Sequence, residues 1–142
     1  MKKIIFVCTG NTCRSPMAEA LFNTYAKESG LDAFSESYGI CADGSKISDN
    51  AKAVLTEAGI DFSHTSAQIT EDVIKDADMV FGITSTHSRT LCAMFPSDAD
   101  KIYNFPTDIS DPYGADIDVY RKCRNEISEG IKSILGYLKN EQ

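Results

Sequence analysis

A thiol, five intervening residues, an arginine and a serine run together near the amino end: Cys8-Thr9-Gly10-Asn11-Thr12-Cys13-Arg14-Ser15. Each residue type has a use at this spacing. A cysteine thiolate is a strong nucleophile, and a nearby positive field favours that form. Backbone amides of a short turn can converge into an anion-binding nest, helped by a following helix N-terminus. Arg14 offers a planar fork to two oxygens of a tetrahedral anion. Gly10 is expected to permit a backbone conformation closed to other residues, and Asn11 tolerates left-handed geometry. Together these residues could carry covalent attack on an anionic centre such as phosphorus. The ordinary alternative is a buried core cysteine and an unrelated surface arginine, because free cysteine is often buried.

The surrounding elements favour the chemical reading. Residues 3–7, KIIFV, form a short apolar run rich in β-branched residues and read as a buried strand. After the loop, Ser15 and Pro16 suggest a helix start, with serine as N-cap and proline in the first turn. Met17, Leu21 and Tyr25 share one face of that helix, with Ala18 and Phe22 beside it, and Gly30 is the expected stop. Residues 33–39 read as a short alternating strand. Ser48 is expected to cap a helix to about Ala58, with Ala51, Val54 and Leu55 inward and Gly59 as its end.

TSAQI at 65–69 suggests a short extended piece, and Thr70–Ala77 a brief helix. Residues 78–83 read as a strand, 86–95 as a helix with Leu91 and Met94 or Phe95 inward, and 101–105 as another strand. A polar loop with two prolines covers 106–115. The last helix is expected from about Ile117 to Lys139, with Tyr120, Ile127, Ile131, Ile134 and Leu138 on its apolar face. Strands alternating with helices predict an α/β fold with a parallel sheet of three or four strands covered on both faces. Loops after strands are where such sheets bind ligands, so 8–15 and 106–115 are expected to meet.

With 142 residues, the chain fits one compact domain, 1–142, able to hold its core without metal or disulfides. A net charge of -7 argues against a general nucleic-acid binder. No apolar run is long enough to span a membrane, and the short one at the start does not read as a signal peptide. Five cysteines, an odd count, and no paired zinc-type spacing fit a reducing cytoplasm without a metal site.

VCTGNTCRSPMAEALF closely resembles the phosphate loop and following helix of the low-molecular-weight protein tyrosine phosphatase family. DPYG at 111–114 resembles that family's acid loop, and GIDFSHTSAQIT at 59–70 the segment carrying its structural histidine. The resemblance runs through essentially the whole chain. It implies a three-layer sandwich with a four-stranded parallel sheet, and metal-free hydrolysis through a phosphocysteine intermediate. It also implies that Cys8 is the nucleophile, Arg14 the phosphoryl clamp and Asp111 the general acid and later base. Asn11, Ser15 and His64 would then hold the loop, Thr9 to Ser15 would cradle the phosphate, and Cys13 would be a resolving thiol for oxidised Cys8. From the residues alone, Ser15 serves equally as a cap, Asp111 as a turn residue, His64 as an ordinary histidine and Cys13 as a packed side chain.

Thr12 bears on the substrate. Tyrosine-directed members resemble CxGNICRS, whereas threonine at this place is similar to the branch acting on phosphoarginine in proteins. DPYG followed by ADIDVYRKCRNEI also resembles that branch. A hydroxyl there gives a charged guanidinium a polar neighbour in place of an apolar methyl. Tyr113 is expected either as a wall of the substrate cleft or as a packed aromatic, and Asp76 and Asp78 as negative charges available to a guanidinium. The resulting expectation is a cytoplasmic phosphatase of phosphoarginine in protein substrates, with no cofactor, nucleic acid or membrane partner and no stated oligomeric state. The alternatives are a tyrosine phosphatase, an arsenate reductase, for which ITSTHSRTLCAMF supplies only Cys92 of the two further relay cysteines, and a non-catalytic phosphate-binding module.

Overall fold

The computed structural model describes residues 1–141; Gln142, the last residue of the expected 1–142 domain, lies outside them. Four strands form one parallel sheet: β1 (Lys2–Cys8), β2 (Ala33–Gly39), β3 (Met79–Gly82) and β4 (Ile102–Asn104), in the order β2-β1-β3-β4. Five α-helices connect and cover them: α1 (Arg14–Glu28), α2 (Asp49–Glu57), α3 (Glu71–Asp76), α4 (Ser85–Met94) and α5 (Ile117–Asn140).

Strand side chains alternate between faces, and the two sides of the core follow from that. Ile4, Phe6 and Phe81 face the layer of α1, α2 and α5, whereas Ile5, Val7 and Val80 face α3 and α4. Central β1 is buried on both faces, which explains its unbroken apolar run. In α5, Tyr120, Ile127, Ile131, Ile134 and Leu138 are all buried, as their spacing predicts. Ser48 and Thr70 cap α2 and α3 by accepting from the amides of Ala51 and Val73.

Several expectations need correction. α1 starts at Arg14, with Cys13 at the N-cap and no side-chain cap, so Ser15 does not cap it. Pro16 still fits, because the first-turn amides have no intrahelical acceptor. α4 starts earlier than expected because Thr84 caps it. Of the two residues expected beside buried Leu91, Phe95 packs against the core, whereas Met94 is 43% exposed. A 3₁₀ turn, Pro96–Lys101, precedes β4. Asp76 and Asp78 sit at the opposite end of β1 from Cys8. They bind Lys3 through its Nζ at 2.9 Å and its amide at 2.8 Å, so neither reaches the loop.

β2 buries its small residues, Ala33, Ser35, Ser37 and Gly39, rather than its aromatics. It is an edge strand. Asn23 of α1 covers part of that edge, accepting from the Ser35 amide at 2.7 Å and donating to its carbonyl at 3.1 Å. Gly39 ends β2 directly beneath the loop at 8–15. A Cβ there would lie 2.7 Å from the Thr9 carbonyl oxygen and 3.0 Å from Asn11 Cβ.

Candidate active site

The chain leaves β1 at Cys8 and enters α1 at Arg14, so the loop between them sits at the carboxyl end of the sheet. Here β2 and β3 diverge to either side of β1, the usual crevice of an open α/β sheet. Asn11 takes the one left-handed conformation among the described non-glycine residues, with φ 58°. Gly10 has no positive φ, so the conformational requirement falls on Asn11 and not on Gly10 as expected.

Asn11 is fully buried and uses both ends of its amide. Its Oδ1 accepts from the Ala67 amide at 3.0 Å, which fixes the orientation of the group. His64 Nε2 lies 2.8 Å from the same oxygen and must donate to it. Asn11 Nδ2 donates to Ser15 Oγ at 2.8 Å and to Ser37 Oγ at 3.0 Å. With its oxygen accepting from Asn11, the Ser15 hydroxyl can donate onward to Cys8 Sγ, 2.9 Å away. The chain His64–Asn11–Ser15–Cys8 can therefore run in one direction, each group donating to the next and the Ser15 hydroxyl to the sulfur.

A second branch runs from Ser37 to Glu19. Ser37 Oγ donates to Glu19 Oε1 at 2.7 Å, and His64 Nδ1 lies 3.8 Å from the same carboxylate oxygen. Burial pushes Glu19 up to about 7, against the lowering effect of its bonds from Ser37. Burial also lowers His64.

Arg14 is buried, and its Nη1 donates to the Ile109 carbonyl at 2.9 Å while Nη2 lies 3.9 Å from Asp111 Oδ2. The loop after β4 is thus tied to the start of α1, and the two post-strand loops meet as expected. Asp111 has a 57% exposed side chain, and its Oδ1 accepts from the Tyr113 amide at 3.1 Å. Tyr113 is 77% exposed and lines the cleft instead of packing into the core.

The cleft has a volume of about 480 Å³, within the usual range for small-molecule sites. Cys8 through Arg14 form its floor, Asp111 and Tyr113 one side, and Cys41, Asp43, Ser45, Lys46 and Ser48 the rest. Thr12 lines it with a hydroxyl whose nearest side-chain partner is Cys13 Sγ at 3.8 Å. Cys13 Sγ lies 3.4 Å from Ser48 Oγ and 3.3 Å from Tyr120 Oη. Among the described residues, no group of three or more His, Cys, Asp or Glu side chains is placed to hold a metal.

The loop, Asp111, Tyr113 and His64, singled out in the sequence, come together here; Glu19, Ser37, His87 and the wall from Cys41 to Lys46, which adjoin them, were not singled out. Nothing local pointed to Ser37 or Glu19, which meet from different elements.

The family model for low-molecular-weight phosphotyrosine protein phosphatases matches residues 3–142. The protein-arginine-phosphatase of Bacillus subtilis strain 168 is 37% identical, the match covering 98% of each chain. That of Geobacillus stearothermophilus is 39% identical over 99% of this chain and 98% of its own. A solved mutant of the YwlE arginine phosphatase, carrying a phosphorylated active-site serine, superposes with a TM-score of 0.96 at 36% identity. That superposition covers 99% of this chain and 97% of the other. Matched by the family model over residues 3–142 and by relatives at 37% and 39% identity over nearly its whole length, the chain belongs to the low-molecular-weight phosphotyrosine protein phosphatase family.

Proposed function

We propose that this protein hydrolyses phosphoarginine in protein substrates through a phosphocysteine intermediate. The observation that carries the reading is the convergence of Cys8, Arg14 and Asp111 on a single cleft whose floor also presents the Thr12 hydroxyl. The likeness to two arginine phosphatases supports the substrate. In the first step, the Cys8 thiolate attacks phosphorus in line. The P–N bond breaks, and Asp111 gives its proton to the departing guanidine nitrogen. Arg14 and the amides of Thr9 to Ser15 hold the phosphoryl oxygens as charge redistributes. In the second step, water attacks the phosphocysteine, Asp111 takes the water's proton, and the P–S bond breaks. Inorganic phosphate leaves and the thiolate is restored. Asn11, Ser15 and His64 hold the loop and support the sulfur.

Thr12 and Tyr113 are the specificity residues in this reading: the hydroxyl faces the guanidinium and the ring walls the cleft. Tyr113 also favours a second reading, because an exposed ring at the cleft can pack a phosphotyrosyl ring. Arsenate reduction fits less well, because Cys92, the one thiol in the relevant stretch, lies on α4 and packs against the Ile5 and Val7 side of the core. A phosphate-binding module needs no nucleophile. Among the described residues, no helix is long and apolar enough to cross a membrane. A thiolate mechanism with five free cysteines suits a reducing cytoplasm. We take 1–142 as one catalytic unit without metal, cofactor or nucleic acid.

The test is the ratio of kcat/KM on peptides matched around phosphoarginine and phosphotyrosine. A preference for phosphoarginine is expected; a preference for phosphotyrosine would overturn the substrate assignment while leaving the phosphatase.

A further inference from the structure

His87 is buried at 6% exposure on the third residue of α4, and no step of the proposed reaction uses it. Its hydrogen bonds determine its tautomer. The Thr84 amide, which can only donate, lies 3.2 Å from Nδ1, and Thr84 Oγ1 lies 2.9 Å from the same nitrogen. The His87 amide donates back to Thr84 Oγ1 at 3.2 Å, so that hydroxyl is also turned to donate toward Nδ1. Nδ1 is therefore an acceptor, and the ring proton is on Nε2. That nitrogen lies 2.9 Å from Oγ1 of Thr9, the residue that follows Cys8.

Thr9 is thus held from two sides, because its carbonyl also accepts from the Cys41 amide at 2.9 Å. Once the Thr9 oxygen accepts from the imidazole, its hydroxyl hydrogen is left for another acceptor. Thr9 is exposed on the cleft floor, and among the described residues its hydroxyl has no other hydrogen-bond partner. The same corner reaches the loop that carries Asp111. Ser85 donates to Asp108 from its amide at 3.0 Å and from its hydroxyl at 3.2 Å. Gly82 at the end of β3 makes this approach possible, since a Cβ there would strike Ser88.

We propose that His87 is a positioning residue: its Nε2–H sets the Thr9 hydroxyl so that the O–H donates to a phosphoryl oxygen in the loop. The proposal rests on the phosphatase reading of the cleft. The ring stays neutral through its work. Burial, and then the charge of Arg14, lower His87 to about 4, against the opposing pull of Asp111 and Asp108. It supplies orientation and takes no part in proton transfer.

A role as helix cap alone is the competing explanation, and Thr9→Val separates the two because it leaves the cap intact. Thr9→Val, His87→Ala, His87→Gln and the Thr9→Val/His87→Ala double variant are compared with wild type by kcat/KM on an activated aryl phosphate and by Tm. One lost hydrogen bond to a charged group predicts a fall of roughly 10–100-fold in kcat/KM for each of Thr9→Val and His87→Ala. The double variant is expected to fall no further than the worse single one, because both remove the same contact. His87→Ala should also lower Tm, whereas Thr9→Val should not. Gln offers both an acceptor to Thr84 and a donor to Thr9, so His87→Gln should recover most of the rate. Wild-type kcat/KM in folded His87→Ala, or multiplying losses in the double variant, overturns the proposal. Loss of one limb of the pH profile in His87→Ala also overturns it, by making His87 a proton-transfer group. A wild-type enzyme idle on the aryl phosphate would instead remove the phosphatase reading itself.

Discussion

The φ of 58° at Asn11 turns a buried amide toward Ser15, Ser37, His64 and Ala67 at once, so one torsion connects four residues on three segments beside Cys8. Asp111 is held far more loosely, by the Tyr113 amide and a long contact with buried Arg14. A side chain 57% exposed is free to follow a leaving group, which suits an acid that later becomes a base. Asp111→Asn should therefore slow poor leaving groups by roughly 10²–10⁴-fold and an activated aryl phosphate far less. A leaving-group series measures this, and equal losses across it would make Asp111 a substrate-orienting residue instead. Thr12 makes the complementary case, since the phosphoryl oxygens are the same in both candidate substrates and discrimination lies beyond phosphorus. Thr12→Ile removes a hydroxyl that makes only a 3.8 Å contact and adds apolar bulk to the cleft floor. It should lower the ratio of phosphoarginine to phosphotyrosine kcat/KM by ~10–200-fold. A wild type that favours phosphoarginine with an unchanged ratio in Thr12→Ile would leave the substrate standing and shift the discrimination to Tyr113.

At the scale of elements, the strand–loop–helix unit of β1 and α1 carries both Cys8, the proposed nucleophile, and Cys13, its proposed redox partner. Cys8 ends β1, and Cys13 is the N-cap of α1. Peroxide would oxidise the Cys8 thiolate to a sulfenic acid, and Cys13 would then displace water from it to form a disulfide. To do so, Cys13 must give up Tyr120 and Ser48. Reversible inactivation with a Cys8–Cys13 link in peptide maps is the expected result; reversible inactivation without that link would exclude Cys13 as the resolving thiol. This unit was legible in the sequence because a β-branched run, a turn signal and an amphipathic helix adjoin there. The caps at Ser48 and Thr70 and the face of α5 were legible for the same local reasons. The cap of α4 was not. Its capping box closes with His87, where glutamate or glutamine is the usual signature. The strand β2 was legible from its alternation, but its buried face was not. Ser35 and Ser37 face inward because Asn23 and Glu19 on α1 satisfy them, and a partner on a different element leaves no mark in strand periodicity. Ser15 shows the same limit: it looks like a cap locally, but its hydroxyl is spent on Cys8.

Over the whole molecule, the sheet order keeps opposite kinds of polar group apart. Asp76 and Asp78 meet Lys3 at the amino end of the strands, while the loop and Asp111 gather at the carboxyl end. A net charge of -7 is thus compatible with an anion-binding cleft. Two groups behind the loop, the partly buried Glu19 and the buried His87, couple the site's construction to global stability, with opposite signs. Glu19 has a folded value of about 7 against 4.5 for the free side chain, so between these limits the native state holds more protons than the unfolded one. Its contribution therefore lowers stability as pH rises from 4.5 to 7. His87 has a folded value of about 4 against 6.5, so in that window the unfolded state holds more protons. Its contribution lowers stability as pH falls from 6.5 to 4. From pH 4.5 to 6.5 the two slopes oppose each other; above that range Glu19 acts alone, and below it His87 does. Glu19→Gln keeps an acceptor for Ser37 without the charge, so it should gain stability relative to wild type as pH rises from 5 to 8. His87→Gln should remove much of the loss from pH 6 to 4. Urea unfolding at pH 4, 5, 6, 7 and 8 checks both. If the difference between Glu19→Gln and wild type stays constant from pH 5 to 8, Glu19 is ionised in the folded protein throughout, and the buried branch through Ser37 holds a carboxylate.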